Sequence, residues 1–280
     1  QRFHDTSQRQ INTFAKQAKP LSSVLFVLIC LIPIFSGFIL PISILLSNIS
    51  TYLILEDLAI IITIIKNTFL VAILGSILII SLATLLTCAP GILGSKFLVS
   101  LANLSAYGYA FPGTMLAIGV LITVGILDKC FEYAFSSKFI TLEPFFLSGT
   151  ISVLIFAYIV RFLAVGYGST LSGLSKISSN LNWASRTLSH SLTNTITRVS
   201  IPLIKKSIIA GGLLAFVDIT KELPMTLLLR PFNFETLATF TYQYAHDELM
   251  GQAALPALLI ILFGLVPIVY LNMILRENHN

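Results

Sequence analysis

The stretch FVDITKELPMTLLLRPFNFETLA, residues 216–238, places Asp218, Lys221 and Glu222 within five positions of an otherwise apolar run. Asp218 and Lys221 are three residues apart and Asp218 and Glu222 four, so one helical face would carry all three. Such a face can hold ion pairs, or it can line a wet path through apolar surroundings. Pro224, Thr226, Arg230 and Pro231 follow directly. Other reactive side chains are scattered. Cys30, Cys88 and Cys130 lack the paired spacing of a metal site or disulfide framework and read as small apolar packing residues. His4, His190, His246 and His279 all fall in expected loops. Ser169, in Gly166-Tyr167-Gly168-Ser169, has no histidine base within an expected span, which argues against an intramembrane serine protease. No group of three acids converges in a span, so no hard-metal ligand set is expected. No residue is assigned a catalytic role, and the phosphate-cradling Gly-x-x-x-x-Gly-Lys-Ser/Thr pattern is absent.

The elements that position these residues must lie in a membrane. Hydrophobic residues make up 56% of the 280 and charged ones 10%, against roughly 25% charged in ordinary soluble domains. The apolar residues gather into runs near the length that crosses about 30 Å of hydrocarbon. Six spans are expected, at about 21–46, 68–89, 101–127, 145–160, 207–219 and 253–275. The fold class that follows is all-α, a polytopic helical bundle. Pro33, Gly37 and Pro41 interrupt the first span, Pro90-Gly91 closes the second, and Arg161 would snorkel at the end of the fourth. The acidic, apolar stretch YLILEDLAIIITIIKN (52–67) reads as an external helix, lying along the interface or leading into span two.

Charge sets the orientation. With residues 1–20, 90–97, 161–206 and 276–280 on one side, that side holds 12 of the 17 Lys and Arg residues and 2 of the 12 acids. Lys/Arg excess marks the cytoplasmic face, so both termini are expected inside, with 1–20 a basic lead-in. On the same side, the acid-free stretch 176–206 contains Ser178, Ser179 and Asn180, which could cap a short helix from Leu181. Leu181, Trp183 or Ala184, Leu188 and Leu192 recur near helical spacing, with Arg186 and His190 one turn apart. This amphipathic segment would either rest on anionic lipid headgroups or dock a soluble partner.

These features resemble the permease subunits of binding-protein-dependent ABC importers. The signature of that family is a cytoplasmic loop with Glu-Ala-Ala, a Gly four positions on, and a later Ile-x-Leu-Pro. The matching positions here are Trp183-Ala184-Ser185, Ser189, and Val199-Ser200-Ile201-Pro202; the Glu and the Gly are absent. KELPMTLLLRPFNFETLATFTYQY (221–244), GYAFPGTMLAIG (108–119) and GFILPISILL (37–46) are similar to the second half of ferric-iron importer permeases. Phosphonate, thiamine and polyamine permeases are neighbouring families. The resemblance covers about Ile34 to Leu275.

The resemblance implies a multi-pass permease of the bacterial inner membrane, without an ATPase site of its own. Trp183, Ala184, Ser185, Arg186, Leu188, Ser189, Ile201 and Pro202 would form the ATPase-coupling loop. Asp218, Lys221, Glu222, Pro224, Thr226 and Arg230 would line the pathway or form an external gate, or else mark a solvated helix end. Expected partners are an ABC ATPase dimer holding ATP-Mg, an extracytoplasmic binding protein, membrane lipid and a second permease half. That half would be the N-terminal part of a longer chain of which this is the C-terminal unit. No cofactor on this chain and no nucleic-acid partner are expected. The external segment Phe232–Gln252, with Phe232, Phe234, Tyr242 and Tyr244, would meet the binding protein or form an aromatic belt. The rival from another class is an ion-coupled secondary transporter, for which only the Asp218–Glu222 cluster offers ionisable groups.

Overall fold

The computed structural model describes residues 20–52, 58–135, 147–177 and 192–276, and every element among them is helical. Among the described residues, six stretches are long and apolar enough to cross a membrane: Ser22–Ile49, Leu58–Pro90, Gly113–Tyr133, Ile151–Ser175, Ile196–Thr220 and Met250–Met273. The expected number of spans stands, while several boundaries move. The chain divides into two compact units, Gln1–Ile44 and Leu45–Asn280.

From the first unit, α1 (Pro20–Ile34) passes through a wide π turn, Phe35–Ile39, into α2 (Leu40–Tyr52), which runs on past Ile44. The turn lies just ahead of Pro41. A proline ring collides with the carbonyl four residues back, and a wider turn relieves that collision without ending the helix. The same device recurs in the second unit, where a π turn at Ile196–Ser200 precedes Pro202. The large side chains from Val24 to Phe35 along α1 are exposed, as suits a helix whose solvent is lipid.

In the second unit, α3 (Leu58–Leu93) is a continuous 36-residue helix. At 1.5 Å per residue it is about 54 Å long, well beyond the hydrocarbon core. Thus residues 58–67 lead straight into span two, and the alternative of a separate interfacial helix fails for them. Pro90 does not close the helix as expected. Gly94 does, with φ at +65°, a conformation a residue bearing Cβ resists.

The third span is corrected more strongly. Residues 101–127 are not one helix: α4 (Lys96–Leu104) passes into a tight 3-10 stretch, Ser105–Ala110, and α5 (Gly113–Phe135) begins afresh. Pro112 forces the break, because it holds Phe111 extended, at φ −83° and ψ 140°.

The fourth span runs on past 160. Helix α6 (Ile151–Ser175) carries Arg161 in its interior, about 15 Å from its first residue. Arg161 therefore does not snorkel at an end, and residues 161–175 leave the cytoplasmic loop for the membrane. The fifth span likewise starts early: α7 (Ile201–Thr220) contains Lys205 and Lys206. After it come α8 (Pro224–Leu229), α9 (Leu237–His246) and α10 (Met250–Arg276). His246 thus ends a helix rather than lying in a loop.

Helices α3, α6 and α7 pack on one another, and α5 and α8 complete the core around Val71, Ile79, Val120, Leu154, Tyr158 and Met225. Between α6 and α7 the backbones come close: a Cβ on Gly173 would lie 2.6 Å from that of Ser207. Close approach of small residues is the main source of helix association where lipid is as apolar as leucine. Hydroxyls bond across this contact and across the neighbouring α3–α6 contact. Ser169 donates to the Ser207 carbonyl at 2.8 Å, and Thr87 and Thr170 bond each other at 2.7 Å while turning back to their own helices.

Candidate functional site

The charged cluster noted in the sequence lies where α7 stops. The helix ends at Thr220; Lys221 leaves helical geometry, and Pro224, lacking an amide hydrogen, opens α8 at its first turn. This break separates the three charges. Asp218 pairs with Lys221 across one turn at 3.0 Å. Glu222 lies beyond the helix end, so the single helical face expected for all three does not form. Its carboxylate instead accepts from Arg161 of α6 at 2.9 Å and from the Met225 amide at 3.3 Å.

The Arg161–Glu222 pair is mostly removed from solvent, with Glu222 7% and Arg161 20% exposed. Arg161 lies in the interior of a candidate span, where an ionised group is costly unless it is paired or faces water. Three features hold the pair. The guanidinium stands over the Phe162 ring, its carbon 5.6 Å from the centroid. Gly113, the first residue of α5, supplies the room: a Cβ there would overlap Arg161 Nη1 and reach within 2.9 Å of Glu222 Oε1. One turn before Arg161, the buried Tyr158 hydroxyl bonds Thr226 at 2.5 Å, and Thr226 donates to the Glu222 carbonyl at 2.6 Å. Arg161 Nε is buried and has no hydrogen-bond partner among the described residues.

Beyond α8 the chain folds back. Arg230 is extended ahead of Pro231; it forms an ion pair with Glu235 and donates to the Phe234 carbonyl at 3.3 Å. Asn233 takes a left-handed turn that asparagine tolerates, and a Thr236/Thr239 capping box starts α9. This return segment docks on α3, whose Thr68 hydroxyl accepts from the Leu237 amide at 2.8 Å; Asn67 donates to the Glu235 carbonyl at 3.1 Å. Of the four aromatic residues expected at a contact surface or belt, Phe234 is buried, while Phe232 is fully exposed and Tyr242 also exposed. Tyr244 packs edge-on against Phe240. A cavity of about 260 Å³ lined by Leu227, Arg230, Thr239, Tyr242, Gln243 and His246 separates α8 from α9.

All six candidate pathway residues therefore fall within one short, broken stretch, and each has a defined contact or place in the backbone. Glu222 and Thr226 join it to α6, Asp218 stabilises its start, Pro224 opens α8, and Arg230 ties its far end to Glu235. Lys221 pairs with Asp218 and is largely exposed. Sequence reasoning missed Arg161, Tyr158 and Gly113. The signal was available for Arg161: AYIV precedes it and FLAV follows, so apolar residues flank it on both sides. Of the coupling-loop candidates, Trp183, Ala184, Ser185, Arg186, Leu188 and Ser189 lie outside the described residues. Ile201 and Pro202 form the first turn of α7. Among the described residues, no group of three His, Cys, Asp or Glu side chains is placed to hold a metal ion.

Comparison with known proteins places this geometry. No family model matches the chain. A curated relative, the Fe(3+)-transport system permease protein FbpB 2 of Haemophilus influenzae, is 22% identical over 208 residues, covering 74% of this chain and 38% of the relative. The chain thus spans well under half of that relative's length. Among solved structures, a chain of a bacterial alginate ABC transporter, in complex with an alginate pentasaccharide-bound periplasmic protein, superposes with a TM-score of 0.74. It is 14% identical, with 92% of this chain and 94% of that one covered. A second structure, of a bacterial ABC transporter that imports the acidic polysaccharide alginate, gives a TM-score of 0.69 at 14% identity, covering 92% and 96%. The chain has the fold of an ABC importer permease, an all-helical, multi-pass membrane domain.

Proposed function

We propose that the chain is the inner-membrane permease subunit of an ATP-driven, binding-protein-dependent importer, and that its cargo is ferric iron. The observation that carries the importer reading is the fold likeness over nine-tenths of the chain, with the broken span-five segment set in its core. Ferric iron is favoured by the named activity of the curated relative and by the Lys221–Tyr244 pattern. The alginate importers share the fold at an identity too low to speak for cargo.

In this reading the chain moves cargo but hydrolyses nothing. The nucleotide site belongs to a separate ATPase dimer, which receives the segment between α6 and span five, about 176–195. A second permease half, an N-terminal part of the same longer chain or a partner, completes the pathway. An outer binding protein selects and delivers the cargo. Because α6 and α7 flank the loop and pack along their lengths, displacement of the loop would move both helices together. Both ends of the chain would face the cytoplasm. An ion-coupled secondary transporter would work without nucleotide, so ATP dependence separates the two classes.

The test is direct. Deleting residues 181–195 is expected to abolish co-purification of the ATPase while the spans still insert in the membrane. Stoichiometric ATPase binding by the deletion variant would remove the docking role of the loop. For the cargo, proteoliposomes holding the assembled complex should take up radiolabelled ferric iron only when ATP is supplied to the ATPase side.

A further inference from the structure

The geometry points to a latch: the Arg161–Glu222 pair holds span four to the break after span five in a closed state, and transport opens it. The inference rests on the importer reading above. It makes Arg161 and Gly113 positioning residues for transport, in addition to the candidate pathway residues.

Three observations carry it. First, a buried ion pair is a poor device for stability alone, since apolar side chains of similar volume hold a joint as well or better. Its attested uses are register and switching. Here register is already set, because the neighbouring Tyr158–Thr226 bond and the contact of α8 with α5 and α6 fix the same joint. Second, Arg161 is under-satisfied. It has five N–H donors, and among the described residues none accepts from the buried Nε, so this arrangement does not complete its bonding. A second arrangement in which the guanidinium meets water would satisfy it, and the side chain is already 20% exposed. Third, the position suits transmission. Helix α6 carries Arg161, and its far end packs through Gly173 against Ser207 of α7, beside the loop that would meet the ATPase. Glu222 lies just past the other end of α7. Loop displacement therefore reaches both partners of the pair through two helices that are already packed together.

Replacing the pair by apolar residues should weaken the open state. Separated Arg and Glu side chains hydrate well, whereas separated Met and Leu side chains expose apolar surface to water. Removing only the charge of Glu222 should do the reverse and loosen the closed state.

Met225 reports the state of the latch, because it is fully buried and its amide donates to the Glu222 carboxylate. The probe is a water-soluble maleimide acting on Met225→Cys, with the exposed Cys30 and Cys130 replaced by Ala, in the complete complex with ATPase and binding protein. ATP is expected to raise the labelling rate at least tenfold, and the Arg161→Met/Glu222→Leu variant to abolish that rise while still assembling. If labelling does not respond to ATP in a preparation that imports ferric iron, the latch is overturned and the importer reading survives. An undiminished response in the double variant also overturns it. Failure of both ATPase co-purification and ATP-driven uptake removes the importer reading and the latch with it. Should the double variant not assemble, Glu222→Gln decides: labelling that rises several-fold without ATP supports the latch, and unchanged protection overturns it.

Discussion

Two joints hold α6 in place, and they are made of opposite materials. Toward its C-terminal end, α6 meets α3 and α7 through glycines, serines and threonines: Gly173 against Ser207, Ser169 on the Ser207 carbonyl, Thr87 on Thr170. Ten or so residues earlier the same helix meets the α7–α8 break through an ion pair, whose guanidinium also stands over the helix's own Phe162 ring, and through a buried tyrosine hydroxyl. The first joint depends on shape. Its Ser169, Thr87 and Thr170 hydroxyls all bond to carbonyls of the packed helices, so it needs no compensating charge. The second depends on electrostatics in a setting where ions are expensive, and it leaves one donor unbonded. One helix thus carries a fixed seam and a joint suited to two states.

The largest effect should come from halving the charged joint. Arg161→Met leaves the Glu222 carboxylate buried without its cation, a change that typically costs about 3–5 kcal/mol. Partial exposure of Arg161 should place the loss near the lower end of that range. The thermal midpoint of the purified protein in detergent should fall clearly, and adding Glu222→Leu should restore most of it. If the single variant is as stable as its parent, the pair contributes little and the contrast between the joints collapses.

The fixed seam should respond to volume instead. Gly173→Val would force its new side chain into Ser207, whose Cβ already lies within 2.6 Å of where a Cβ would stand. Overpacking of this kind costs about 1–3 kcal/mol. Ser207→Gly in the same chain should recover part of the loss, as read from the thermal midpoint. Gly113→Ala, which adds only a methyl group, should act on the charged joint instead. The atoms in its way are those of the ion pair itself, Arg161 Nη1 and Glu222 Oε1, so the thermal midpoint and ATP-driven uptake should fall together.

How legible the two joints were follows from this difference. The membrane class, the number of spans and the charged cluster rest on composition and local pattern, which the sequence carries directly. The break at Pro112 was in the sequence as well, yet the apolar run 101–127 outweighed it, because tolerance of proline inside a bundle depends on neighbours. Arg161 was assigned to a helix end by its charge. Its true place depends on Glu222, sixty-one residues away, and no local period reports such a partner. The face shared by Asp218 and Glu222 failed for a similar reason: the i, i+4 rule holds only while the helix continues, and α7 stops at Thr220.

The smallest expected effect is the most exacting test of the comparison. Thr87 and Thr170 bond each other at 2.7 Å, but each hydroxyl also donates to or shares a carbonyl one turn back on its own helix, Thr87 to Ala83 and Thr170 to Gly166. Losing the partner across the seam therefore strands neither group. A double-mutant cycle with Thr87→Val and Thr170→Val should give a coupling of about 0.6 kcal/mol, the size typical of polar pairs between membrane helices. The same cycle on Arg161 and Glu222 should give several times that, because each single change there leaves a charge with no local substitute. Equal couplings at the two joints would mean that the protein solvates Arg161 and Glu222 separately as well as together. The pair would then be no more a switch than the threonines are.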